Sequence, residues 1–267
     1  MERRPLGATG LDVTVIGMGT WQTYDVRRAS AVQAVTDAAL GGGAAFFDSS
    51  PMYGAAERVL AETLGERRKQ VVIATKVRAG SAREGREQIH RALDRYGGVV
   101  DVYQIHNLEA WRTHLPYLEE LKAAGRIRAV GITHYATWIT STGPVATISA
   151  MRPNCEAPYN PREREVEREL LPLAAERRLG VIPMRPPGQG GPVRAAPPAR
   201  ELGFLARHGL VTWAQALLNW GISDPRVTVT IPATRDARHA ADNCAVGGAR
   251  RFDGAARERV AALAARL

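Results

Sequence analysis

Phe46-Phe47-Asp48-Ser49-Ser50-Pro51-Met52-Tyr53-Gly54 is the stretch on which the reading of this chain turns. Before it, Ala31, Val32, Val35, Ala38 and Ala39 recur at helical spacing over 28–40, and Gly41-Gly42-Gly43 stops that helix. The stretch then opens on an apolar run and delivers a carboxylate, a turn and a tyrosine within a few residues. A buried strand that ends in an acid and a phenol is how an α/β protein presents chemistry at a strand's end.

The same alternation extends in both directions. Residues 3–12 read as a hairpin with a glycine-rich turn, and 13–17 as a first buried strand. Further strands are expected over 44–47, 71–74, 99–105, 127–132, 154–158, 180–183 and 227–231. Helices are expected over 55–66, 82–96, 112–125, 137–150, 162–178, 211–222, 235–246 and 254–266. Strands alternating with helices predict a parallel sheet, and eight such units predict a (β/α)8 TIM barrel with an N-terminal β-hairpin. No linker divides the chain, so residues 1–267 are expected to form a single barrel domain.

Composition narrows the function. The 267 residues are 45% hydrophobic and 24% charged, ordinary values for a globular protein with a sizeable core. The formal charge is +9, but only Lys69, Lys76 and Lys122 of the 36 basic residues are lysines. The arginines are interleaved with glutamates, as in Pro161-Arg162-Glu163-Arg164-Glu165, which is a solvated helix face and not a nucleic-acid stripe. The excess charge instead favours small anionic ligands. Cys155 and Cys244 stand apart, without a CxxC or a histidine cluster, so neither a disulfide framework nor a metal site is expected. No run is long enough to cross a bilayer, and the Arg3-Arg4 pair has no apolar segment behind it, so a cytoplasmic protein is expected. Glycine motifs for a P-loop or a Rossmann turn are missing.

In a barrel of this kind, chemistry gathers at the C-terminal ends of the strands. Strand two brings Asp48, with Tyr53 in its loop; strand three brings Lys76; strand four brings His106 and Asn107; strand five brings Thr133 and His134. Singly, each has a plain reading: Asp48 a helix or turn cap, Tyr53 a rim aromatic, Lys76 a strand-end charge, His106 a satisfied structural histidine. Together they form a set whose desolvation carries a cost that decoration does not explain. Lysine at 76, in a chain that prefers arginine, supplies a compact charge able to tune a neighbour. The chemistry that needs these four is carbonyl reduction by hydride. Negative charge left on the carbonyl oxygen must receive a proton, and a phenol of ordinary pKa about 10 is a poor acid near neutrality. A nearby ammonium lowers that pKa, a carboxylate keeps the ammonium charged, and a histidine orients the carbonyl.

At this point the chain resembles an aldo-keto reductase, over essentially its whole length. The opening Pro5-Leu6-Gly7, Thr9-Gly10-Leu11 and Ile16-Gly17-Met18-Gly19-Thr20-Trp21 are similar to the family's hairpin and first strand. Phe47-Asp48-Ser49-Ser50-Pro51-Met52-Tyr53-Gly54 followed by Glu57, Ile73-Ala74-Thr75-Lys76 and Tyr103-Gln104-Ile105-His106-Asn107 match its signature segments. The resemblance implies Tyr53 as proton donor, Lys76 and Asp48 as its tuning pair, and His106 as the carbonyl-orienting group. It also implies NADPH lying across the barrel mouth without a Rossmann motif. By the resemblance, Gly19, Thr20, Trp21 and Asp48 line that mouth. Thr133, His134 and Glu156 hold the nicotinamide amide, Met184 packs on its ring, and Arg185, Pro186, Gly188 and Gly190 run beside the pyrophosphate in a loop over 186–193. Ile231, Pro232, Ala233, Thr234, Arg235, Arg238, His239, Asp242 and Asn243 form the adenosine end.

The chain departs from the family at four of these positions. His134 replaces an asparagine, and Glu156 replaces a glutamine, so that a carboxylate there accepts where an amide donates. Ala233 stands at a usual lysine and His239 at a usual arginine, leaving Arg235 and Arg238 as partners for a 2′-phosphate. NADPH is expected over NADH. The rivals are a cofactor-binding regulatory protein of the potassium-channel β type, which tends to carry an extra N-terminal segment, and a biosynthetic carbonyl or imine reductase. Residues 107–112 are short and the chain ends at Leu267 after a helix, so an open aromatic pocket near Trp21, Tyr24, Trp111 and Trp138 is expected around Tyr53 and His106. Its substrate is a small carbonyl compound, and a monomer is favoured.

Overall fold

A computed structural model describes residues 1–135, 154–188 and 195–267. The helix expected over 137–150, with Trp138, and Gly190 in the loop after strand seven lie outside the described residues. The chain opens with β1 (Arg3–Pro5) paired antiparallel to β2 (Asp12–Thr14), the expected hairpin. Seven strands then build one parallel sheet in sequence order. They are β3 (Met18–Gly19), β4 (Phe46–Asp48), β5 (Val72–Val77), β6 (Val100–Ile105), β7 (Ile127–Thr133), β8 (Asn154–Pro158) and β9 (Gly180–Met184). Helices such as Gln33–Gly41, Ala56–Leu64, Ala82–Arg95 and Trp111–Ala123 return the chain between parallel neighbours. The curled sheet with helices outside it fits an α/β barrel.

Strand alternation sorts the core into two. Outward, Phe47, Ile73, Val77, Tyr103, Ile105 and Ile132 pack against helix residues including Leu60, Leu93 and Leu118. Inward, Phe46, Ala74, Val102, Ala129 and Ile182 form a separate apolar cluster, and Leu6, Leu11 and Val13 of the hairpin region complete it. Each buried Val, Leu, Ile or Phe among them contributes about 1.5–3 kcal/mol through burial.

Three expectations are corrected. The first strand, expected over 13–17, is shared between partners: Asp12–Thr14 belongs to the hairpin, while Met18–Gly19 pairs with β4. Residues 227–231, expected as the eighth strand, make an isolated parallel bridge, Ile16 to Thr230, instead of a ladder. Hydrogen bonds from this segment run to β9, with the Thr228 N–H on the Val181 carbonyl at 2.9 Å, and to the chain just before β3, with the Thr230 N–H on the Val15 carbonyl at 2.9 Å. The helix expected over 162–178 shrinks to Leu170–Arg177, preceded by a single turn at Glu165–Glu167. Pro172 has no N–H to donate to an earlier turn, which confines it to a helix start. No helix among the described residues is long and apolar enough to cross a membrane.

Candidate active site

The polar inner layer lies two residues beyond the apolar one. Phe46 is followed by Asp48, Ala74 by Lys76 and Val102 by Gln104, each pair on one face of its strand, and on β8 the polar Asn154 precedes Glu156 on the same face. Lys76 and Asp48 are thereby aimed at each other across β4 and β5. The Lys76 Nζ donates to both carboxylate oxygens of Asp48, at 2.7 and 2.6 Å, and to the Ser49 carbonyl at 3.0 Å. A second carboxylate approaches the same ammonium, with Glu156 Oε2 3.4 Å away. All three are buried, Lys76 completely. The ammonium also lies 5.5 Å from the centre of the Tyr53 ring, and the Tyr53 and His106 rings meet edge to face with centroids 6.1 Å apart.

Burial dominates the electrostatics. It opposes the charge of Lys76, but Asp48, Glu156 and Tyr53 outweigh it and hold the ammonium above its ordinary range. Burial raises the Asp48 carboxyl, against the charge and hydrogen bonds of Lys76. It pushes the Glu156 carboxyl up to about 8, with Lys76 pulling down and Asp48 pushing further up. Tyr53 is raised as well: Lys76 lowers it as expected from the sequence, yet burial, helped by Asp48 and Glu156, is the larger effect. His106 falls to about 3 through burial and the charges of Lys76 and Arg78, so it is neutral near pH 7 and offers a hydrogen bond without a charge.

A model of the family described as "Aldo/keto reductase family" matches residues 15–264. The chain belongs to that family. The aldo-keto reductase YhdN of Bacillus subtilis is 28% identical over 210 residues, covering 68% of this chain and 61% of that protein, so the chain matches less than two thirds of its length. A probable voltage-gated potassium channel subunit beta of rice (Oryza sativa subsp. japonica) is 31% identical over 220 residues, covering 71% of this chain and 65% of that one. Among solved structures, an aldo-keto reductase from Klebsiella pneumoniae in complex with NADPH superposes with a TM-score of 0.80 at 22% identity, over 97% of this chain and 94% of that one.

The signature residues of the family are held by neighbouring hydroxyls, amides and a carboxylate. Ser50 Oγ lies 3.0 Å from His106 Nδ1, and the Thr20 hydroxyl lies 3.0 Å from both the Asp48 carbonyl and Ser49 Oγ. Gln104 donates to Asn154 Oδ1 at 3.2 Å beneath Glu156. Asp25 accepts from the Ala55 N–H at 2.9 Å and so fixes the far end of the Tyr53 loop. Gly54 makes this possible, because its φ is +62° and a Cβ there would strike the Asp25 carboxylate. The only available signal was the run Ser49-Ser50, two hydroxyls buried directly after a carboxylate. The rim beyond His106 is strained, with Asn107, Leu108 and Ala110 all left-handed, and the Asn107 N–H bonded to Thr133 Oγ1 at 3.2 Å.

The remaining candidates divide by place. Gly19 packs so closely on the 231–232 backbone that a Cβ would lie 2.8 Å from the Ile231 carbonyl, and its N–H bonds Pro232 at 3.1 Å. Thr133 is buried; His134 bonds the Glu156 carbonyl through its N–H at 3.0 Å and stacks on Tyr135. Met184 ends β9, and Arg185 is already paired with Glu163 at 3.1 Å, above a turn closed by Gly188 on the Arg185 carbonyl, with Pro186 buried between. Ile231 and Pro232 are buried, Thr234 and Asn243 half-buried, and Ala233, Arg235, Arg238, His239 and Asp242 exposed. Trp21 is exposed and Trp111 half-buried. Tyr24 is a correction: it is fully buried, with its hydroxyl 2.8 Å from Thr36 Oγ1, and therefore belongs to the core and not to a pocket.

Proposed function

We propose that this chain is an NADPH-dependent reductase of aldehydes or ketones in which Tyr53 gives the proton, Lys76 and Asp48 tune it, and His106 orients the carbonyl. The observation that carries the reading is the buried Lys76 ammonium, gripped by both oxygens of Asp48 and set beside the Tyr53 ring. A lysine taken fully out of water needs a reason, and a phenol awaiting a negative charge supplies one. NADPH, when bound, supplies the hydride. Residues of this chain fit it at both ends. Gly19 packs its backbone directly on the Ile231 carbonyl beside the adenosine segment, and Arg235 and Arg238 are two exposed cations at the start of the helix Ala237–Ala245. Thr133, His134, Glu156 and Met184 are the candidates for the nicotinamide end.

The finer fold reading belongs here too. We infer a single (β/α)8 domain over 1–267, in which residues 227–231 bridge β9 and β3 and close the ring. In this reading Trp21 and Trp111 are candidates for the substrate side, and a cleft of about 210 Å³ lined by Pro51, Met52, Arg78 and Glu109 among others lies against the loop that carries Tyr53. The Arg78–Glu109 pair at 3.0 Å makes that cleft polar.

The test is a panel of aldehydes and ketones with NADPH. Turnover is expected, and Tyr53→Phe is expected to lose about 10²–10⁴ in kcat while still quenching protein fluorescence with NADPH. Tight NADPH binding without turnover on any carbonyl would overturn the reading and favour a non-catalytic cofactor-binding role, the direction in which the channel-subunit relative points.

A further inference from the structure

One buried titratable group has no part in the proton transfer described above. Glu156 stands on the inner face of β8 with Thr133 beside it on β7 and Ile182 beside it on β9. Asp48 already takes both hydrogen bonds that Lys76 aims at a carboxylate, so Glu156 is a second buried acid on a single cation. Its Oε2 lies 3.4 Å from the ammonium and finds no hydrogen-bond partner among the described residues. The charged and titratable groups that face it are Lys76 from β5, Asp48 from β4 and Tyr53 from the loop after β4, with Gln104 of β6 as a polar neighbour and Cys155 on its own strand. Two negative charges on one buried ammonium leave a net charge out of water, and a proton on one carboxyl removes it.

We propose that Glu156 is the proton store of this site, a buried carboxylic acid that restores Tyr53 through Lys76 after each reduction. The proposal rests on the reading of Tyr53 as proton donor. Once the Tyr53 O–H bond has broken in favour of the alcohol, the phenolate takes a proton from Lys76, and the Lys76 amine takes one from Glu156. The net result is one O–H bond formed at Tyr53 and one broken at Glu156, with no electrons moved and the negative charge left on Glu156. The carboxylate regains its proton from solvent when product leaves. The direction is favourable because Tyr53 is held above its ordinary range while Glu156 stands at about 8. Glu156 acts through Lys76 and is therefore a positioning residue for the proton.

The decisive measurement is the state of the Glu156 carboxyl in the whole protein. The infrared spectrum should show a protonated-carboxyl band at pH 6 that bleaches with a midpoint near 8 and is absent from Glu156→Gln. If that variant does not fold, carbon-13 NMR of wild-type protein labelled at glutamate carboxyls reads the same titration. An ionised Glu156 at pH 6 in either experiment overturns the proposal. In turnover with NADPH and a carbonyl substrate, wild-type kcat should fall by roughly tenfold as the pH rises through about 8. Glu156→Gln should be flat across that range and coincide with the wild-type high-pH limb. Superimposable profiles would show that the acid is present but idle, which also overturns it. Retained turnover in Tyr53→Phe would remove the donor reading and leave the infrared titration unchanged, so the two failures are told apart.

Discussion

The ion cluster of Asp48, Lys76 and Glu156 and the arginine-bearing segment 235–239 are both charged, and they are built in opposite ways. The cluster is closed to water, and its ammonium is gripped at short range by Asp48 with Glu156 3.4 Å away. In the segment, Arg238 is 88% exposed and spends its guanidinium on Asp236 at 2.9 Å. That exposed pair is worth little. On the proposed function, the contrast separates two tasks. A proton donor needs fixed surroundings in low dielectric, whereas a phosphate-binding end needs charges that can reach, and those are cheap to keep in water.

The comparison is broken hardest at Lys76. Lys76→Met removes the cation and leaves two carboxylates buried, and breaking such a pair typically costs about 3–5 kcal/mol. The sign with pH follows from the carboxyls. In the variant both have folded-state pKa values above their unfolded ones, so the fold binds more protons than the unfolded chain and gains stability as the pH falls. The deficit measured by urea unfolding should therefore be larger at pH 8 than at pH 5, with kcat down by about 10² or more at either pH. A deficit independent of pH would mean that the two acids do not answer to Lys76.

A smaller and purely functional effect is expected at the exposed end. Replacing Arg235 and Arg238 together by alanine should raise KM for NADPH by roughly tenfold or more through lost charge-assisted contacts, leave KM for NADH nearly unchanged, and keep the melting temperature. An equal rise for both cofactors would place the 2′-phosphate elsewhere.

How much of this was legible in the sequence follows the same divide. The shared placement of Asp48, Lys76 and His106 could be read because each falls in or directly after a recognisable strand. The six strands from β4 to β9 were legible for the same reason. What escaped was whatever depends on long-range pairing. The run at 13–19 changes partners midway, serving the hairpin through Val13 and Thr14 and the sheet through Met18 and Gly19, and no local pattern announces the exchange. Tyr24 looked like a pocket aromatic, but Thr36, on the following helix, offers its hydroxyl a buried partner. Glu156 looked like an acceptor only; its crowding with Asp48 on one ammonium, which raises its pKa, arises from two strands four positions apart in the sheet.

The smallest expected effect sharpens the comparison where the built region meets solvent. Asp25 is exposed, yet it accepts the Ala55 N–H at the start of the helix Ala56–Leu64, two residues beyond Tyr53. A carboxylate there satisfies a free helix N–H and complements the helix dipole. Asp25→Ala should cost no more than about 1 kcal/mol, because water can replace an exposed cap. Its effect should appear instead in kcat, lowered by about threefold with KM little changed, because the loop that aims Tyr53 at the carbonyl gains freedom. Asp25→Asn, which keeps the acceptor and loses the charge, should recover most of that loss. If Asp25→Ala leaves kcat untouched, the Tyr53 loop is held from within the buried region alone, by Ser50 on His106 and by the packing of the ring against Lys76.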